Sequence, residues 1–187
     1  MQLVPYQGEW TQLGEEIVGV GLGAGSEAWA YYDTVVENGF IEATVSWPVV
    51  GQQQAMFMLR STGRPTQQYR IEVWGNAAVP RYRGRVVIYR EAAPPVFLYD
   101  DQGFDIPDGS LVRAIVEGDV ITVMVNDLVV AQAVDPNPLP AGYPGLGVIW
   151  DYTTVFSDVR VSQPSRAWLW ALAGLGVCVG AVVALKK

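Results

Sequence analysis

The run LVRAIVEGDVITVMVNDLVVAQ, residues 111–132, constrains the fold more than any other stretch. It reads as three short strands of alternating apolar character joined by two tight turns, Gly118–Asp119 and Asn126–Asp127. Gly, Asn and Asp tolerate the positive φ that two-residue hairpins require. A chain that commits a stretch of this length to consecutive hairpins is building an antiparallel sheet. The stretches before it follow the same pattern. Runs with a period of two are predicted at Glu9–Gln12, Glu16–Val20, Ala28–Tyr32, Gly39–Trp47, Ala55–Ser61, Gln68–Trp74, Arg85–Arg90 and Val96–Tyr99. Leu146–Trp150 and Thr154–Ser162 close the series, and the first eight residues read as an arm or a short edge strand. Gly, Pro, Asn and Asp clusters punctuate these runs, and no stretch before residue 163 sustains a helical period. Many short strands with turns between them predict an all-β sandwich or barrel.

The last segment is of another kind. Ala167 to Leu185 holds nineteen residues without a charge, with Arg166 before it and Lys186 and Lys187 after it. As a helix rising about 1.5 Å per residue it would span roughly 28 Å, close to the ~30 Å hydrocarbon core of a bilayer. Trp168 and Trp170 stand at its entry, where indole rings favour the membrane–water interface. The expected organisation is therefore a sandwich over residues 1–162, a linker at 163–166, a transmembrane helix at 167–185 and a basic tail at 186–187. Gly176 and Gly180 form a GxxxG that could pair two such helices. The N-terminus, MQLVPYQGEW, shows neither a basic nor an apolar leader region. The expected localisation is single-pass and C-terminally anchored, with a virion membrane as one setting and other subunits of an assembly as partners beside the bilayer.

Composition narrows the chemistry. Before Pro164 stand nine basic residues against all nineteen acidic ones, a balance of −10, and the tail brings the chain to −7. Such a surface does not recruit nucleic acid by charge. There is no histidine, and the one cysteine, Cys178, lies in the apolar tail. Ser-His-Asp and Cys-His nucleophiles, His-ligated metals and disulfides in the body are thereby excluded. The glycine-rich GVGLGAGSE, residues 19–27, lacks the GK[ST] ending of a phosphate loop and reads as a strand connection.

The order of these signals resembles the concanavalin A-like lectin/glucanase fold, in particular laminin-G-like modules and 3-keto-disaccharide hydrolase-like domains. The resemblance rests on FIEATVSWP, a strand ending in Arg60, YRIEVW, DGSLVRAIVEGDVITVMVNDLVVAQAVD, the glycine-rich GYPGLGVIW and a closing VFSDVRV, and covers Gly8–Ser162. It implies two stacked antiparallel sheets in a jelly-roll sandwich, with carbohydrate held on one sheet face or at the loop rim. The E-x-D-x-x-E box of glucanases in this fold is missing. The nearest candidates, Glu42 and Glu72, have no carboxylate two residues on. The expected role is thus non-enzymatic: structure, attachment or glycan binding, with a membrane-bound sugar-active hydrolase as the alternative.

The segment QYRIEVWGN is the candidate surface site. Alternation puts Tyr69, Ile71 and Val73 on one face and Arg70, Glu72 and Trp74 on the other. An arginine, a carboxylate and an indole can stack and hydrogen-bond a sugar, or can equally form a cross-strand ion pair beside a packed ring. Arg60 is assigned to the same face, and Trp150 and Tyr152 to the rim after the glycine-rich strand. No cofactor is expected. Asp100, Asp101, Asp105 and Asp108 cluster in YDDQGFDIPDG, where close loop carboxylates can hold Ca²⁺, but their spacing is not that of an EF-hand and a solvated loop is expected. Arg81, Arg83, Arg85 and Arg90, interleaved with Tyr82 and Tyr89, are expected to pair with neighbouring carboxylates or with an acidic partner rather than with nucleic acid.

Overall fold

The computed structural model describes residues 2–21, 23, 26–63, 67–150 and 152–162. The predicted linker, the apolar stretch Ala167–Leu185 and the Gly176/Gly180 pair lie outside these residues. Among the described residues no helix is long and apolar enough to cross a membrane.

The body is an all-β sandwich of two seven-stranded sheets. In chain order the strands are β1 (Leu3–Gln7), β2 (Glu9–Leu13), β3 (Glu16–Val20), β4 (Glu27–Tyr32), β5 (Gly39–Ser46), β6 (Gln54–Ser61) and β7 (Gln68–Trp74). There follow β8 (Arg85–Glu91), β9 (Val96–Gln102), β10 (Ser110–Glu117), β11 (Val120–Val125), β12 (Leu128–Val134), β13 (Tyr143–Ile149) and β14 (Thr153–Ser162). The first sheet runs β1-β4-β13-β6-β7-β8-β9 and the second β12-β11-β10-β5-β14-β3-β2. Their strand pairs are antiparallel throughout.

Alternation decides what lies between the sheets. From the first sheet Phe57, Tyr69, Ile71, Val73 and Ile88 are fully buried, and from the second Ile41, Val45, Val112 and Phe156. Phe57 and Phe156 meet edge to face across the gap, with centroids 6.0 Å apart. Tyr69 carries a hydroxyl into this layer, where it needs partners. It donates to the buried carboxylate of Asp135 at 2.9 Å and accepts from the Leu139 amide at 3.0 Å. Asp135 in turn takes Arg90 Nη1 at 2.8 Å, so the arm after β12 is tied to the first sheet.

The β10–β11–β12 meander matches its sequence reading. Asn126 and Asp127 hold φ of 50° and 63°, the two left-handed positions of a hairpin turn. Asn126 Oδ1 also accepts from the Leu111 amide at 3.0 Å. Asn126→Ala is expected to lower unfolding free energy by about 1–2 kcal/mol, because alanine keeps the Cβ that the left-handed conformation penalises and loses the side-chain carbonyl that offsets it. Urea denaturation with an unchanged m-value would measure it.

β9 and β13 run longer than predicted, β13 beginning at Tyr143 rather than Leu146. β9 continues through Gln102 because Asp100 and Asp101 pair with Val87 and Val86 of β8. The four aspartates therefore do not share a loop. Asp100 binds Arg85, Asp105 accepts from Asn76 at 2.7 Å, and Asp108 accepts from the Trp47 amide at 2.7 Å. Among the described residues no group of three or more acidic side chains could hold a metal ion.

Candidate functional site

The outer face of the first sheet carries the residues that the interior cannot accept. From β7 these are Gln68, Arg70, Glu72 and Trp74, and the register sets Arg70 opposite Tyr89, Glu72 opposite Val87 and Trp74 opposite Arg85 of β8. Glu27 comes from β4. At one end of this face Ser26, Glu27, Glu72, Trp74, Tyr82, Arg85, Tyr89, Ile149 and Trp150 line a cleft of about 250 Å³. That is below the roughly 300–1,000 Å³ of drug-sized pockets, so the cleft suits a small polar ring.

Arg70 organises the floor. Its Nη1 lies 3.0 Å from Glu27 Oε1 and 2.7 Å from Glu91 Oε1. Its Nε lies 3.1 Å from Glu72 Oε1, an ion pair whose angle falls short of a hydrogen bond. The guanidinium also sits 4.5 Å from the centroid of Tyr89. Burial alone would lower the Arg70 pKa, but Glu72, Glu91 and Glu27 together outweigh it and hold the pKa above its ordinary value. Burial pushes the Glu27 and Glu72 carboxyls up, and the opposing pull of Arg70 does not cancel it. Three carboxylates around one cation leave acceptor oxygens in excess of donors. Such a floor accepts hydrogen bonds from hydroxyl groups and repels anions.

An aromatic wall rises beside it. Tyr82 stacks on Trp74 with centroids 4.3 Å apart at 25°, and Trp150 lies 5.7 Å from Trp74 and 6.1 Å from Tyr82. Arg85 reaches over Tyr82 at 5.3 Å and grips Asp100 with Nε and Nη2 at 2.7 and 2.6 Å. Trp74 is only 2% exposed. Its indole backs the wall, and the rings left partly open to solvent are Tyr82, Tyr89 and Trp150.

Trp150 is placed by the glycine-rich run. Its amide donates to Ser26 O at 2.8 Å, its carbonyl accepts from Gly23 N at 3.2 Å, and its φ is 56°. A Cβ on Gly21 would stand 1.7 Å from the Trp150 carbonyl oxygen. The run is thus a strand connection, and Gly21 is needed so that two backbones can touch.

The structure brings Arg70, Glu72 and Trp74 of the predicted face together with the rim residue Trp150 around one cleft, and Tyr152 stands behind them. Tyr152 is 7% exposed and lies edge-on to Trp74 and Trp150 at 6.3 and 5.1 Å. Arg60 does not join them. A register shift between β13 and β6 and a φ of 51° at Arg60 break the alternation there. Its guanidinium donates instead to Glu37 O and Leu139 O, each at 2.8 Å, at the edge of the interior. Glu42 is equally remote. It lies on β5 of the second sheet, paired with Arg113 and Arg160. Glu27, Tyr82, Arg85 and Tyr89 also line the cleft, and the sequence alone does not place them there. Period two within RVVIYR puts Arg85 and Tyr89 on one face, but only the β7–β8 register shows which face that is.

Neither a family model nor a curated protein matches the sequence. Solved structures do. The carbohydrate binding module CBM66 from Bacillus subtilis is similar over 86% of this chain and 95% of its own, at 19% identity and a TM-score of 0.71. A Bacillus subtilis protein of unknown function with a galectin-like fold matches over 87% and 88%, at 14% identity and 0.66. A Bacillus licheniformis beta-glucanase matches over 87% and 92%, at 9% identity and 0.61. The fold is therefore the concanavalin-like β-sandwich, shared by carbohydrate-binding and glycosidase structures.

Proposed function

We propose that this chain is a non-enzymatic glycan-binding sandwich, held at a membrane by residues 167–185, and that the cleft over Arg70 takes a neutral sugar ring. The observation that carries this reading is the pairing of an acceptor-rich floor with an aromatic wall. Sugar hydroxyls donate to Glu27 and Glu72, and the apolar face of the ring lies against Trp150 and Tyr82. The acidic surface favours a neutral ligand over a phosphorylated or sulfated one. The fold shared with a carbohydrate binding module supports the same class of partner. The nineteen uncharged residues that follow the body support the tether.

A specific observation favours a second reading. Glu27 and Glu72 both line the cleft, and burial raises both. A raised carboxyl is what a glycosidase uses as its acid. Against this, both are engaged by Arg70, which holds them in place rather than freeing one for proton transfer.

Two assays on the full chain separate the readings. A glycan array of neutral and anionic oligosaccharides is expected to show retention confined to neutral members. A reducing-end assay on the retained glycans is expected to show no release of new ends. Release would establish the hydrolase, and an array without retention would contradict both readings.

A further inference from the structure

We propose that the same face holds a second sugar subsite, a tyrosine-lined groove at the β1–β4 edge, so that the natural ligand is an extended oligosaccharide laid across the sheet. This rests on the glycan reading of the cleft. The groove has a volume of about 260 Å³, and its walls include Val4, Tyr6, Tyr31 and Tyr143. Tyr6 is the unpaired residue of a bulge between Pro5 and Gln7, and bulges re-aim side chains. Its ring stands edge-on to Tyr31 with centroids 6.4 Å apart, yet Tyr6 remains 52% exposed. Tyr6 is thus an exposed ring held in place by the buried edge of Tyr31, and an exposed, positioned ring can stack a sugar.

The groove is joined to the cleft. Glu27 of the cleft and Tyr31 of the groove lie four residues apart on β4, on the same face, about 13 Å at the usual rise of a strand. A continuous polar strip connects them. The Tyr31 hydroxyl donates to Gln68 Oε1 at 2.9 Å, Gln68 Nε2 donates to Glu91 Oε2 at 2.6 Å, and Glu91 pairs with Arg70, which pairs with Glu27. Gln68 is fully buried and Tyr31 is 5% exposed, so this strip lies beneath the path of a bound chain and fixes the spacing of the two subsites. The separation exceeds the reach of a disaccharide, so both subsites fill only with a trisaccharide or longer.

The test is calorimetric titration of the full chain with the neutral oligosaccharide selected on the array, supplied in lengths from disaccharide to hexasaccharide. The tetrasaccharide is expected to bind about 5- to 30-fold more tightly than the disaccharide, the factor that 1–2 kcal/mol supplies. Tyr6→Ala should erase this gain while leaving disaccharide affinity at its wild-type value, and Tyr6→Phe, which keeps the ring, should retain it. Tyr143→Ala, on the opposite wall, should behave as Tyr6→Ala does. An affinity that does not rise with length overturns the second subsite and leaves the cleft standing. So does a Tyr6→Ala variant that loses the same factor at every length. If no length binds at all, the cleft reading fails, and the subsite fails with it.

Discussion

Arg70→Ala is expected to lower unfolding free energy by about 3–5 kcal/mol at neutral pH, the usual cost of leaving a buried charge without its partner. The reason is the company Arg70 keeps. It is the shared counter-ion of Glu27, Glu72 and Glu91, and its side chain is only 15% exposed. Without it, carboxylates held close together on the partly buried cleft floor repel one another. The deficit should depend on pH in a definite direction. Burial already places the Glu27 and Glu72 pKa values above the ordinary carboxylate range, and loss of the cation raises them further. A carboxyl whose folded pKa exceeds its unfolded pKa binds more protons in the folded state. Its contribution to stability is complete below the unfolded value of about 4.3 and is lost as pH rises through the folded value. The variant should therefore recover much of its deficit on acidification and lose it again toward neutrality. Urea titrations of both proteins across that range would measure this. A deficit that does not change with pH would mean that Arg70 contributes packing rather than charge balance.

Trp150→Ala is expected to weaken glycan binding by at least about 2 kcal/mol, roughly 30-fold, the loss typical when a central aromatic is truncated. Trp150 is the partly open indole at the cleft mouth, and Trp74 behind it is stacked under Tyr82. Trp74 should therefore matter through stability, and Trp150 through affinity. Calorimetry on the array-selected oligosaccharide measures the affinity, and thermal unfolding shows whether the fold is kept.

The sheets were legible from the chain because period two, turn residues and apolar content agree along it. The Asn126–Asp127 turn and the strand Gln68–Trp74 fall where the pattern puts them. Features that depend on two distant strands were not legible. Arg60 sits one residue before the end of β6 and has the alternation of an outer-face residue, but a bulge set by the pairing with β13 turns it away. Nothing local marks Asp100 as part of a strand; its place follows from pairing with Val87. The glycine-rich run shows its purpose only once Gly21 is seen against the Trp150 carbonyl. The site was half visible for the same reason. Arg70 and Glu72 could be assigned to one face, whereas Glu27, fetched from a strand far away in sequence, required the sheet order.

The indole N–H resonances of the full chain, labelled with ¹⁵N-tryptophan and titrated with the array-selected oligosaccharide, test the cleft most directly. Trp150 should shift most and Trp74 beside it should follow. Trp10, which packs on Phe156 of the second sheet, and Trp47, 4% exposed, should hold still. Shifts at Trp10 or Trp47 with Trp150 unmoved would place the ligand elsewhere and contradict the account.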